Sequence, residues 1–74
     1  MAKAPFNIQD QYLNQSRKER IQVAVKMMSG DTLTGYIKSF DNFSVLLDSN
    51  GDILIYKHAI SNITSSDGTF RLHQ

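Results

Sequence analysis

The sequence predicts a mostly β domain with one N-terminal helix, its five strands forming a strongly bent antiparallel sheet or small open barrel. Three observations carry this. Apolar and polar residues alternate at period two from Ile21 onward. Turn-forming clusters recur at Ser29-Gly30-Asp31, Asp41-Asn42 and Ser49-Asn50-Gly51. Gly35 interrupts a β-patterned run, where a sharp bend or bulge is expected.

The first element reads as a helix over about 8–19. Asn7 is suited to cap its first turn, and Asp10 puts a carboxylate where the helix dipole favours one. Arg17, Lys18 and Arg20 stand at the opposite end, where cations are favoured. Ile8, Tyr12 and Leu13 form a narrow apolar stripe, so the helix should lie on the sheet, covering one open end. Strand one follows, with Ile21, Val23, Val25 and Met27 on one face and Gln22, Ala24, Lys26 and Met28 on the other. Thr32 to Phe40 reads as strand two, with Leu33, Gly35, Ile37 and Ser39 sharing a face. Phe43 to Asp48 reads as strand three. Asn50-Gly51 is the strongest hairpin signal in the chain, because both residues tolerate positive φ. Asp52 to Tyr56 forms strand four; Lys57-His58 is a short polar break, and Ala59 to Thr64 is strand five. Residues 1–7 are read as an N-terminal extension, 8–64 as the domain and 65–74 as a C-terminal tail.

With 74 residues the chain holds one domain, and a core of that size rarely supplies more than about 3–5 kcal/mol. It has no cysteine to cross-link, and two histidines without cysteine argue against structural zinc. Oligomerisation is the remaining reinforcement. The last strand carries no charge and no proline, so its edge is poorly defended, and pairing with another copy would solve both problems. Nothing approaches the apolar length of a membrane span, and no signal core is seen, which is consistent with a cytoplasmic protein without membrane partners.

The net charge is only +1, yet it is unevenly spread: Lys3, Arg17, Lys18 and Arg20 lie in the first twenty residues, whereas Asp41, Asp48, Asp52 and Asp67 lie in the second half. The early cluster is either a solvated helix end or a surface for a polyanion. Enzyme signatures are missing: there is no nucleophile elbow, no Gly-rich phosphate loop and no paired-histidine spacing, so neither catalysis nor a cofactor is expected. Two constellations carry chemistry. Tyr56-Lys57-His58-Ala59-Ile60-Ser61 sets a fixed charge beside a two-nitrogen ring; it is a polar turn, or, repeated around a ring of subunits, an anion site. Phe40-Asp41-Asn42-Phe43 flanks a polar turn with aromatics. Phe40 suits the core, whereas Phe43 could stack on an unpaired base and Asn42 offers a donor and an acceptor to a base edge.

Gln9-Asp10, Tyr12-Leu13-Asn14, Arg17-Lys18-Glu19-Arg20, Gly30, Gly35, Ser39-Phe40-Asp41-Asn42-Phe43, Leu46-Leu47 and Tyr56-Lys57-His58-Ala59-Ile60-Ser61 together resemble the bacterial Hfq RNA chaperones over about residues 7–64. The Tyr-Lys-His-Ala-Ile-Ser run is specific to that bacterial branch; archaeal and eukaryotic Sm proteins usually centre this motif on an Arg-Gly pair. The resemblance implies an Sm-like sheet, six copies of which close a ring through strands four and five. It implies a proximal pore for U-rich single-stranded RNA at Gln9, Asn42, Phe43, Lys57 and His58. There Phe43 stacks the base, Gln9 and Lys57 meet its polar edge, and His58 contacts phosphate or the terminal sugar. Asp41 and Tyr56 are expected to support the fold. Arg17, Lys18 and Arg20 match a basic rim, and the family's role is to promote pairing of small RNAs with messenger RNAs. The distal face, at Lys26, Gly30, Asp31 and Leu33, departs from the family. An aromatic usually stands at the position of Lys26, an apolar residue at that of Asp31 and a glutamine near Ile53, so binding of A-rich RNA is expected to be weakened or altered. The competing class is an Sm-like ring that serves as a structural or protein-interaction module with only nonspecific RNA binding.

Overall fold

The computed structural model describes residues 8–66 and Gly68. Helix α1 (Ile8–Lys18) precedes strands β1 (Gln22–Met27), β2 (Thr32–Phe40), β3 (Ser44–Asp48), β4 (Asp52–Tyr56) and β5 (Ile60–Ser65), with a single 3-10 turn at Lys57–Ala59. The strands form one antiparallel sheet in the order β4-β3-β2-β1-β5. The expected class therefore holds, and element bounds move by one or two residues: β3 begins after Phe43 rather than on it, and β5 runs on to Ser65. The capping role expected of Asn7 lies outside the described residues. Among the described residues no helix is long and apolar enough to cross a membrane.

The inner face follows the alternation. Val23 and Val25 of β1, Ile37 of β2, Val45 and Leu47 of β3 and Ile55 of β4 are buried together with Leu13 of α1, and Ile21, Met27, Leu33, Phe40, Ile53, Ile60 and Ile63 pack around them. The expected face of β2 is corrected at its end. Tyr36 pairs with Asp48 and Ile37 with Leu47, but Ser39 pairs with Leu46, so Lys38 is the extra residue of a bulge. One inserted residue reverses the inside-outside order beyond it. Phe40, not Ser39, consequently turns toward the core, opposite Val45. Gly35 is required for a different reason: a Cβ there would collide with the Asp48 carbonyl oxygen and stand only 3.1 Å from Ser49 Cα. The β3–β4 hairpin is as its Asn-Gly pair dictates, with Asn50 at φ 60° and Gly51 at φ 127°.

On the outer face Gln22, Tyr36, Asp48 and Asp52 stand in one row across four strands. Lys38 closes the row with an ion pair to Asp52 at 3.0 Å. At the end of α1 the Arg20 amide donates to the Arg17 carbonyl and the Ile21 amide to the Ser16 carbonyl at 3.0 Å. This is the Schellman pattern, and its left-handed position, usually glycine, is Arg20 at φ 54°. A non-glycine residue there costs about 1 kcal/mol.

Helix α1 rests chiefly on β2 and buries Leu13 and Ser16, while Ile8 remains 58% exposed. The apolar stripe thus includes a serine that the pattern does not reveal. Its hydroxyl is fully buried and has no hydrogen-bond partner among the described residues. Ser16→Ala should raise thermal stability by about 1 kcal/mol, combining better helix propensity with removal of an unpaired polar group. Thermal melts at fixed protein concentration test this, and a lowered midpoint would contradict it.

Strands β4 and β5 are the two edges. Leu54 and Tyr56 of β4 are 57% and 56% exposed, an unusual amount of apolar surface for a free edge.

Candidate nucleic-acid interface

The turn between β2 and β3 is organised by one carboxylate. Asp41 Oδ1 accepts from the amides of Phe43 and Ser44, both at 2.9 Å, and from the Ser44 hydroxyl at 3.0 Å. With its own side chain free of these bonds, Phe43 projects outward and is 77% exposed. An aromatic held so far into solvent by a fixed turn is a ready stacking surface. The bonds from the Phe43 amide, the Ser44 amide and the Ser44 hydroxyl hold the Asp41 carboxyl below its ordinary range, with a small contribution from Lys57. A lowered carboxyl stabilises the fold above the unfolded value and loses that contribution as pH falls through the folded one. Amide NMR of Phe43 should therefore stay unchanged down to the ordinary carboxylate range and shift only below it; a change nearer neutrality would contradict this.

Lys57 connects this turn to the helix. Its amide donates to the Phe43 carbonyl at 2.8 Å. Its ammonium lies 3.4 Å from Asp10 Oδ1, both side chains being mostly buried, and 5.6 Å from the centre of the Phe40 ring. Asp10 offsets much of the lysine charge, which suits Lys57 to donating a hydrogen bond to a neutral base edge rather than to clamping phosphate. Lys57 and Gln9 line one cleft of about 270 Å³, whose walls include Ile8, Tyr12, Ile60 and Asn62. Burial pushes the Tyr12 phenol up, so it stays protonated there. His58 follows on the 3-10 turn, exposed, with its ring stacked on Tyr56 at 6.1 Å and 17°. Tyr56 thus supports His58 from an exposed edge strand rather than from the core.

Of the five expected proximal residues, Gln9 and Lys57 share the cleft, Phe43 is tied to Lys57 through the backbone, and His58 is its neighbour in sequence. Asn42 is exposed at the tip of the turn. The rim residues cluster at the end of α1: Arg17 donates to Asn14 Oδ1 at 2.7 Å, Lys18 is exposed, and the Arg20 guanidinium lies over the Tyr36 ring at 4.9 Å. The four distal positions are split between faces. Lys26 stands exposed on the outer face between Thr32 and Asn62, whereas Leu33 pairs with Val25 and turns inward. Gly30 and Asp31 form the turn, where the Ser29 hydroxyl donates to Asp31 Oδ2 at 3.3 Å. Sequence reasoning missed Asp10 as the partner of Lys57 and Tyr36 as the seat of Arg20. Asp10 had a sufficient local explanation in the helix dipole, and Tyr36 looked like one more strand residue.

The model of the family described as Hfq protein matches residues 8–70 of this chain. The chain belongs to the Hfq family. This is an RNA-binding family with an Sm-like fold. The RNA-binding protein Hfq of Geobacillus kaustophilus is 63% identical over 60 residues, covering 80% of each chain. The RNA-binding protein Hfq of Bacillus subtilis is 60% identical over 58 residues, covering 77% of this chain and 80% of that one. Among solved structures, that of the pleiotropic translational regulator Hfq superposes with a TM-score of 0.76 at 41% identity, covering 78% of this chain and 98% of the other. An Hfq protein from Anabaena sp. matches at 0.73 and 24% identity, a likeness of fold.

Proposed function

We propose that this Hfq-family chain assembles as a hexameric ring through its β4 and β5 edges and binds U-rich single-stranded RNA at Gln9, Asn42, Phe43, Lys57 and His58. In this reading it promotes pairing of small RNAs with messenger RNAs. The observation that carries the site is the turn fixed by Asp41, which holds Phe43 in solvent while its carbonyl is bonded to the amide of Lys57, whose side chain lines the cleft shared with Gln9. Phe43 stacks uracil, Gln9 and Lys57 bond its polar edge, Asn42 lends amide contacts, and His58 takes phosphate or sugar. Repeated around a ring, individually weak contacts act on one strand at high effective concentration. Arg17, Lys18 and Arg20 hold phosphates at the rim, contacts that weaken steeply with salt. Fluorescence anisotropy with short oligouridine tests the reading: saturable binding at moderate salt is expected. Ring formation accompanied only by salt-labile, sequence-blind RNA association would favour a structural module instead.

The distal face should bind oligoadenosine more weakly than relatives with an aromatic at the position of Lys26. The lysine offers no ring to stack, and Asp31 brings a carboxylate toward phosphates. Lys26→Tyr is expected to raise oligoadenosine affinity about tenfold, the value of one stacked base. Tight oligoadenosine binding by the unmodified chain, lost on changing Lys26 or Gly30, would overturn this.

A further inference from the structure

We propose that Arg20 and Tyr36 form a nucleobase-stacking platform on the rim, so that this surface engages the bases of unpaired RNA as well as its phosphates. Three observations converge. Arg20 occupies the left-handed position that closes the helix, at φ 54°, which fixes where its side chain departs from the backbone. Its guanidinium carbon then lies over the Tyr36 ring, 4.9 Å from the ring centroid, and the residue as a whole remains exposed. A guanidinium held over an aromatic ring is partly ordered before anything binds, and guanidinium planes stack on unpaired bases.

The charge pattern around the platform orients a strand. Arg17 and Lys18 lie on the helix side, and Asp48 stands directly across from Tyr36 on β3 with Asp52 beyond it. Lys38 offsets Asp52 through their 3.0 Å ion pair, which leaves Asp48 to disfavour phosphate on the sheet side, whereas the helix-side cations attract it. A single strand following the rim is thereby set with its phosphates toward Arg17 and Lys18 and a base over Arg20. Gln22, the other cross-strand neighbour of Tyr36, is held by the Ser66 hydroxyl at 2.9 Å and flanks the platform with an amide. A rim of cations alone would favour the higher charge density of a duplex; a stacking platform favours unpaired bases, the state from which two strands begin to pair. The inference rests on the chain binding RNA and is independent of the Phe43 site.

The test uses the full chain carrying Phe43→Ala, which removes stacking at the other site, and compares a single-stranded oligonucleotide with an abasic one of equal length and charge. The base-bearing strand is expected to bind roughly tenfold more tightly. Arg20→Lys, which keeps the charge, and Tyr36→Leu should each shrink that difference to what the base-edge contacts of Gln9, Asn42 and Lys57 supply. Tyr36→Phe should preserve it. Equal affinity for the two strands before the Arg20 change, or an undiminished difference in Arg20→Lys, would overturn the proposal.

Discussion

Leu54→Lys should convert the ring into folded single chains. Strands β4 and β5 are the free edges of the sheet, and β5 carries no charge from Ile60 to Ser65. Leu54 is 57% exposed in the protomer and lies on the outer face opposite Leu46, away from the buried cluster of Val45, Leu47 and Ile55. A lysine there leaves the protomer core intact but sets an unpaired charge in the seam between edges, a device that natural sheets use to prevent such pairing. Light scattering should fall from six times the chain mass to the single-chain 8.4 kDa, with the β circular dichroism retained. Loss of avidity should then lower affinity for oligouridine by about 100-fold or more. An unchanged assembly mass would show that β4 is not the seam.

Phe43→Ala should lower oligouridine affinity by about tenfold to a hundredfold, since stacking on an aromatic contributes about 1–3 kcal/mol per base. The residue is 77% exposed and outside the core, so unfolding free energy should change by no more than about 0.5 kcal/mol. That separation of binding from stability distinguishes a stacking surface from a packing residue. It contrasts with Lys57, whose removal would leave the mostly buried Asp10 without that cation. A small loss of affinity, or a large loss of stability, would contradict the role given to Phe43.

Much of the fold was legible because the period of the sequence changes once, at Ile21, and because Asn50-Gly51 and Gly30 mark turns that admit few alternatives. The bulge at Lys38 was not legible: Gly35 signals some irregularity in β2, but nothing local tells that the extra residue falls three positions later and sends Phe40 inward. Ser16 was hidden for a similar reason, since a serine on the buried side of a helix breaks the apolar pattern that defines that side. For the site, the motifs Phe40–Phe43 and Tyr56–Ser61 supplied Asn42, Phe43, Lys57 and His58, the family resemblance supplied Gln9, and folding supplied their partners. Asp10 and Lys57 are 47 positions apart, and only the sheet topology brings the start of the helix onto the end of β4. Arg20 and Tyr36 meet through the same kind of long-range placement.

Photocrosslinking of 4-thiouridine oligonucleotides to the full chain, with the crosslinked peptides mapped by mass spectrometry, tests whether uridine binds at Phe43, Lys57 and His58. The strongest crosslinks are expected on the peptides containing Phe43, Lys57 and His58. Unlabelled oligouridine should suppress them well before oligoadenosine does. Crosslinks confined to the peptides of Arg17, Lys18 and Arg20, equally sensitive to both competitors, would contradict binding there.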